Sequence, residues 1–386
     1  MLTKSASLVV IFALLVLVLA GLANANGVEA TGNVAIGPYV QNVTQTEATI
    51  CWLSLDGQAS AVGPDGNALS ARAYTEHQMT LRNLKADTEY KYNLAPDLPA
   101  TAGAFRTAPD GSARFTFAVF GDTRSRHDVH RRIVQALMAQ SPAFVVNTGD
   151  LVSSGRRLED WETFFDISAG LMRNTPYYPV LGNHERDSTY YFDFFALPGD
   201  ERNYSFDWGA AHFVCLDPEG PDTAGPQAFL YGEILRIGGT HEQYLEKMMA
   251  FLRQDLDEHA SAPFIFVVFH YPPITAKASR VEGAEEIRNL FGSVFAAHRV
   301  TAVLNGHDHY YMRAQADGVT YVIAGGGGAP LYEPDAPPAE AVKVAKVEHF
   351  IKVDIQPPAE DMPGLATFTT YDINGSVIDS WQTPAR

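Results

Sequence analysis

The chain has 386 residues, 46% of them hydrophobic and 19% charged, and a formal net charge of −17 at pH 7. It is long enough for two domains, and its composition is that of a folded globular protein rather than a disordered or fibrous one. Such an excess of carboxylates argues against a structural nucleic-acid partner, whose backbone requires clustered lysine and arginine. Small anionic substrates are not excluded, because bound cations reverse the field locally.

Residues 1–25 read as a secretory signal peptide. Lys4 precedes an unbroken apolar stretch from Leu8 to Ala20, and Ala23-Asn24-Ala25 offers a small-residue cleavage pattern. The stretch is short for a membrane span. The expectation is therefore an exported protein, secreted or periplasmic, with no stable membrane insertion after cleavage.

Residues 33–108 read as short strands separated by turn signals. ATICWL alternates, with Ile50 and Trp52 on one side, while DGQ, GPDG and NLKADTEY supply the breaks. No long amphipathic helix interrupts the pattern, and about seven strands in a small β-sandwich are expected. LRNLKADTEYKYNL resembles the fibronectin type III pattern, in which a leucine-bearing turn precedes a strand with paired tyrosines, here Tyr90 and Tyr92. APDGSA, at 108–113, reads as a linker. Cys51 and Cys215 each sit in an apolar run and read as buried small side chains rather than a disulfide.

From Arg114 the rhythm changes. RFTFAVFGD is an apolar run ending in Gly-Asp, HDVHRRIVQALMAQS has helical periodicity, and AFVVNTGD is a second apolar run ending in Gly-Asp. That order predicts a βαβ unit whose parallel strands are buried on both faces. Further strands are predicted at YYPVLG, HFVCLD, PFIFVVFH, VTAVLNG and VTYVIAGGGG, with a helix over EQYLEKMMAFLRQDLDEH. ATFTTYDINGSVIDSWQ, with its Asn-Gly turn, predicts a C-terminal hairpin.

Polar residues collect where these apolar runs stop: Asp122, Asp150, Asn183 with His184, His270, and finally His307 and His309. On an extended backbone, residues two apart face the same way, so His307 and His309 share one space. In open α/β sheets ligands bind at the carboxyl ends of strands. Two carboxylates, one amide oxygen and three imidazoles form a mixed N/O donor set suited to hard-to-borderline cations, with no thiolate.

The blocks GDTR (121–124), GDLV (149–152), GNHE (182–185), VVFH (267–270) and GHDH (306–309) resemble the motifs of the metallophosphoesterases, the calcineurin-like phosphoesterase superfamily. With a fibronectin-like segment in front, the chain is similar to the purple-acid-phosphatase branch. The resemblance implies an α/β catalytic domain over 114–386, built as a two-sheet α/β/β/α sandwich. It implies two metal ions (iron, zinc or manganese), with Asp150 bridging, Asp122 and His309 on the first, and Asn183, His270 and His307 on the second. The implied reaction is hydrolysis of a small phosphorylated substrate, a phosphate monoester, by attack of a metal-activated water. Catalytic roles fall to His184, near the substrate, and to Arg124, whose planar fork suits a phosphate. Glu185 or Asp187 would orient His184, or serve only in a turn. Tyr271, Tyr310 and Tyr311 would line the pocket or pack in the core. GGGG, at 325–328, lacks the Gly-Lys-Ser/Thr of a nucleotide loop and reads as a close-packed or mobile edge.

Two departures stand out. Purple acid phosphatases place a metal-binding tyrosine three residues after the bridging aspartate, where this chain has Ser153. Other branches place a histidine two residues after the first aspartate, where it has Arg124. The first metal is thus one protein ligand short on either template. Phosphodiesterase or nucleotidase chemistry with the same ligands is the alternative within enzymes. A secreted binding protein with a structural metal site is the alternative from another class.

Overall fold

The computed structural model describes residues 34–62, 68–94, 101–220 and 240–386; the expected signal peptide lies outside them. Strands β1 (Val34–Gln41), β2 (Ala48–Val62) and β3 (Ala68–Leu81) form one antiparallel sheet, and β4 (Glu89–Asn93) and β5 (Ala102–Arg106) a second. Among the described residues five strands therefore stand where about seven were expected from the turn signals. DGQ, read as a break, lies inside β2, where the pairing with β3 shifts register between Leu55 and Gly57. A bulge absorbs the glycine and the strand continues. The Tyr90 hydroxyl accepts a hydrogen bond from the Lys85 N–H upstream at 2.8 Å, the kind of tyrosine corner that fixes strand entry in such sandwiches.

Two sheets follow. The first, in order β18-β17-β16-β6-β7-β8, contains β6 (Phe115–Phe120), β7 (Phe144–Asn147), β8 (Tyr177–Pro179), β16 (His349–Gln356), β17 (Leu365–Asp372) and β18 (Val377–Pro384). The second, in order β15-β13-β14-β12-β11-β10-β9, contains β9 (Tyr204–Trp208), β10 (Ala211–Cys215), β11 (Phe264–Val268), β12 (Ala302–Asn305), β13 (Tyr311–Ala316), β14 (Val319–Ala324) and β15 (Ala341–Ala345). Strands β6, β7 and β8 run parallel, as do β10, β11, β12 and β14. β17 and β18 form the expected C-terminal antiparallel pair.

Aromatic residues join the two sheets. Phe117 on β6 stacks on Phe144 of β7 at 5.2 Å and meets Phe213 of β10 and Phe266 of β11 edge-on at 5.1 and 5.3 Å. The outer face of the first sheet is covered by α1 (His127–Met138) and α2 (Leu158–Met172), and a short α3 spans Thr189–Phe194. The outer face of the second is covered by α4 (His241–Glu258) and α5 (Val281–Ala297), which bury Met248, Leu252, Phe291 and Phe295 against Val214, Ile265 and Val303. The result is the expected α/β/β/α sandwich.

The N-terminal sheets do not keep a separate core. Tyr39, Ile50 and Phe105 belong to one apolar cluster with Phe165, Tyr178 and Phe194 of the catalytic layers. The Tyr178 hydroxyl accepts from the Val43 N–H and donates to its carbonyl, both at 3.1 Å, and Tyr92 donates to the Arg173 carbonyl at 2.7 Å. Cys51 and Cys215 are buried free thiols.

His212 of β10 lies at the opposite end of the second sheet from its carboxyl rim. Its Nδ1 is 2.7 Å from Asp207 of β9, its Nε2 is 2.7 Å from Asp255 of α4, and its ring stacks on His259 at 3.7 Å. Two carboxylate partners require an N–H on each nitrogen, so His212 is an imidazolium. The two rings lie within 9° of parallel, so one cation cannot sit in both ring planes, and the cluster is a salt-bridged clasp rather than a metal site. Burial opposes the charge, but the hydrogen bonds to Asp207 and Asp255 outweigh it and raise the His212 pKa. A raised folded-state pKa gives stability that is complete below the unfolded value of about 6.5 and lost as pH rises through the folded value. His212→Ala should therefore cost about 3 kcal/mol at pH 6 and distinctly less at pH 9. Denaturant unfolding at both values checks this, and an equal loss at both would remove the linkage.

Candidate metal centre

All six predicted ligands meet at the rim where parallel strands of both sheets end. Asp122 follows β6 and Asp150 follows β7, both buried, both at φ 55°, and His307 follows β12 at φ 67°. Left-handed backbone is costly for residues other than glycine and persists where surrounding contacts over-determine it. Here the Asp122 N–H donates to the Gly149 carbonyl at 2.9 Å, and the His307 N–H to Asp122 Oδ2 at 3.0 Å. Each strand exit is thereby held by another.

The side chains converge. Asp122 Oδ1 lies 3.2 Å from His309 Nε2, and ligand atoms of Asp122, Asp150 and His309 all fall within 4.8 Å of one another. Asp150 Oδ1 lies 3.4 Å from His270 Nε2, and Asn183 Oδ1 is 3.1 Å from His307 Nδ1. His270 and His307 are neighbours, with ring centroids 5.1 Å apart.

The imidazoles are oriented from behind. His270 Nδ1 donates to the Thr148 carbonyl at 2.8 Å and His309 Nδ1 to the Pro330 carbonyl at 2.7 Å. A carbonyl only accepts, so Nδ1 carries the proton and each Nε2 lone pair is left for the centre. Asp308, between the two histidines, points away and is buried against Thr275, Tyr310 and Arg280. It anchors the turn so that His307 and His309 share one side. His307 is held neutral, its pKa lowered by burial and then by His270, Arg280, His309 and His184. Two buried atoms, Asp122 Oδ1 and His270 Nε2, have no hydrogen-bond partner. Leaving such atoms bare is costly, and a cation set among these ligands would satisfy both. The donor set thus fits the implied metal pair.

Glu185 has a different role from either one read in the sequence. It is fully buried, and its carboxylate accepts from the backbone N–H groups of Gly182 at 2.7 Å, Leu151 at 2.9 Å and Asp150 at 3.0 Å. It buckles the loop after β8 to the loop after β7. Gly182 is required in this fit: a Cβ there would stand 2.5 Å from the Asp150 nitrogen and Oδ1. Burial first, then the charge of Asp150, raises the Glu185 pKa well above its ordinary value despite these donors. Asp187 pairs with buried Arg202. His184 is instead oriented by the Ser153 carbonyl, which accepts from Nδ1 at 2.7 Å, and its N–H donates to Asp150 Oδ1 at 3.0 Å.

Arg124 lies inside the cluster, with Nε 3.3 Å from Asp150 Oδ2 and Nη2 3.5 Å from His309 Nε2. Arg126 turns away to Glu348 and the carbonyls of Gly328 and Ala329. Tyr310 and Tyr311 are buried in the core, whereas the Tyr271 ring sits 4.5 Å from that of His307. Tyr332, not singled out in the sequence, stacks on His309 at 4.0 Å. Residues 325–328 are the close-packed edge, with Gly327 N–H donating to the Gly121 carbonyl at 2.9 Å.

The family model for the calcineurin-like phosphoesterases matches residues 115–311, about half of the chain and all five motif blocks. The chain belongs to the calcineurin-like phosphoesterase family. It is similar to an uncharacterized protein of Mycobacterium tuberculosis, at 26% identity over 61% of this chain and 50% of that one. Tartrate-resistant acid phosphatase type 5 of Rattus norvegicus is 25% identical over 51% of this chain and 64% of its own. The chain thus spans about half the length of the first curated relatives it matches. In fold it is similar to the purple acid phosphatase PPD1 of yellow lupin, with TM-score 0.68 and 18% identity, covering 91% of this chain and 75% of that one. Calcineurin-like phosphoesterases and purple acid phosphatases use dinuclear metal centres.

Glu185→Ala would leave buried N–H groups of Asp150, Leu151 and Gly182 without an acceptor. The unfolding free energy should fall by about 3 kcal/mol, and metal retention during dialysis should weaken. A change within about 0.5 kcal/mol, as at a surface position, would reduce Glu185 to a turn residue.

Proposed function

We propose that this chain is an exported phosphoesterase that hydrolyses phosphate monoesters with a pair of divalent or trivalent cations. The observation that carries the reading is the meeting of six ligand side chains at one rim, with Asp122 Oδ1 and His270 Nε2 buried and unpartnered there. Asp150 would be shared by the two cations, with Asp122 and His309 holding the first and Asn183, His270 and His307 the second. The cations, when bound, supply a water nucleophile at accessible pH and neutralise charge on the phosphoryl oxygens. The acid-phosphatase relatives and the purple-acid-phosphatase fold support monoesters as the substrate class.

The chain's own groups bind and protonate. The Arg124 side chain is 16% exposed and uses Nε on Asp150, leaving guanidinium N–H groups on its open edge for a phosphate oxygen. His184 has Nδ1 fixed on Ser153, while Nε2 lies 3.8 Å from Asp150 Oδ2 on a side chain 23% exposed. Its protonated form holds a proton at Nε2 for the departing alkoxide. His184→Asn should lower kcat for alkyl esters about 100-fold, and much less for esters with acidic leaving groups, which leave without help.

Asp150→Asn is the direct test. It should lower turnover of an aryl phosphate by at least about 1,000-fold and empty one metal site by elemental analysis, with far-UV circular dichroism unchanged. Retained turnover would leave a binding protein with a structural metal site. Ser153 offers no phenolate, so the iron-loaded protein should be colourless in the visible range; a strong tyrosinate band would refute that assignment.

A further inference from the structure

The flanks of the centre differ in charge. On one side the Tyr332 ring stacks on His309 at 4.0 Å and carries the Arg280 guanidinium 4.9 Å from its centroid. Arg280 is neutralised by Asp308. On the other side the Tyr271 ring lies 4.5 Å from His307 and 5.3 Å from His270. Its hydroxyl donates to Glu219 Oε2 at 2.8 Å. Glu219 is exposed, just beyond the carboxyl end of β10, and no lysine, arginine or histidine pairs with it among the described residues. Its neighbour Asp217, by contrast, is buried and paired with Arg202. The centre is therefore bordered by one aromatic ring that presents a carboxylate with no cationic partner among the described residues.

A phosphate held at the cations, its leaving oxygen within reach of His184, can extend its alcohol portion outward over the Tyr271 flank, since the Tyr271 ring adjoins His307. Over Tyr271 an ammonium group would meet a ring face and, beyond it, a carboxylate, both attractive to a cation. A second anionic group would meet the same carboxylate with the opposite sign. Partial burial raises the Glu219 pKa above its ordinary value, against the hydrogen bond from Tyr271.

We propose that Glu219, presented on Tyr271, is a specificity-determining residue that favours phosphate monoesters of alkylammonium alcohols over those of neutral or anionic alcohols. This rests on the phosphoesterase reading above. The test compares kcat/KM for choline phosphate, its neutral isostere 3,3-dimethylbutyl phosphate and the anionic 3-phosphoglycerate, on metal-loaded wild type, Glu219→Gln and Tyr271→Phe. Wild type should prefer choline phosphate to the isostere by about three- to tenfold, the range of a partly exposed charge and cation–π contact. Glu219→Gln should bring that ratio near one, raise the rate on 3-phosphoglycerate relative to the neutral ester, and leave metal content unchanged. Tyr271→Phe keeps the ring but releases Glu219, and should fall between the two. No preference in wild type, or an unchanged ratio in Glu219→Gln, overturns the inference while the phosphoesterase reading stands. Failure of wild type on all three esters and on an aryl phosphate would bring down that reading, and the inference with it.

Discussion

Asp122 and Asp150 are buried together with ligand atoms within 4.8 Å, and their mutual repulsion governs the rest of the site. At an effective dielectric of about 20, two unit charges at that distance repel by about 3 kcal/mol, before the penalty of removing each from water. One guanidinium, Arg124, approaches Asp150, and no lysine or arginine among the described residues pairs with Asp122. Such a pair persists because the fold is built to receive further positive charge between them. His270 and His309 fit the same logic: their outer nitrogens are occupied by carbonyls, so their lone pairs face the carboxylates rather than water.

Rigidity comes from the backbone. The ligands stand on loops, but each loop is tied to the next through main-chain groups: Asp122 to Gly149, His307 to Asp122, and the loops after β7 and β8 to one another through Glu185. Left-handed conformations at Asp122, Asp150 and His307 are then consequences of mutual fastening. The aromatic layer of Phe117, Phe144, Phe213 and Phe266 sets the distance between the two sheets, and so the separation of the strand ends that supply ligands. A metal centre assembled from both sheets can be only as precise as that packing.

The first metal site departs from its relatives in a way that remains consistent chemically. Ser153 stands where a tyrosinate would bind, and its carbonyl instead fixes the His184 ring. Arg124 stands where another branch has a histidine, and its guanidinium lies against Asp150 and His309. A cation of the side chain thus shares the field that a fuller ligand set would give to the ion alone. The N-terminal strands, fused into the same core, brace the layer that carries α2 and α3.

Much of this was legible in the chain itself. Apolar runs ending in Gly-Asp, Asn-His and His-x-His mark strand ends, because buried parallel strands are uniformly apolar and their exits must be polar; the six candidate ligands were picked out by that pattern. Helices with a polar face, α1 and α4, showed their period. α2 and α5 did not, since α2 buries Trp161, Phe164, Phe165, Ile167 and Leu171 and its turns lack a clear polar stripe. β9 and β15, at the edges of the second sheet, and the interior strands β13 and β16 gave no such signal because none is an unbroken apolar run. Only the tertiary structure decided that Glu185 is a buckle, that Asp187 pairs with Arg202, that Tyr332 and Tyr271 rather than Tyr310 and Tyr311 border the centre, and that Glu219 meets the Tyr271 hydroxyl. Residue type and period state what a side chain can do, whereas which backbone donors, charges and rings surround it is settled only when remote segments close into one packed layer.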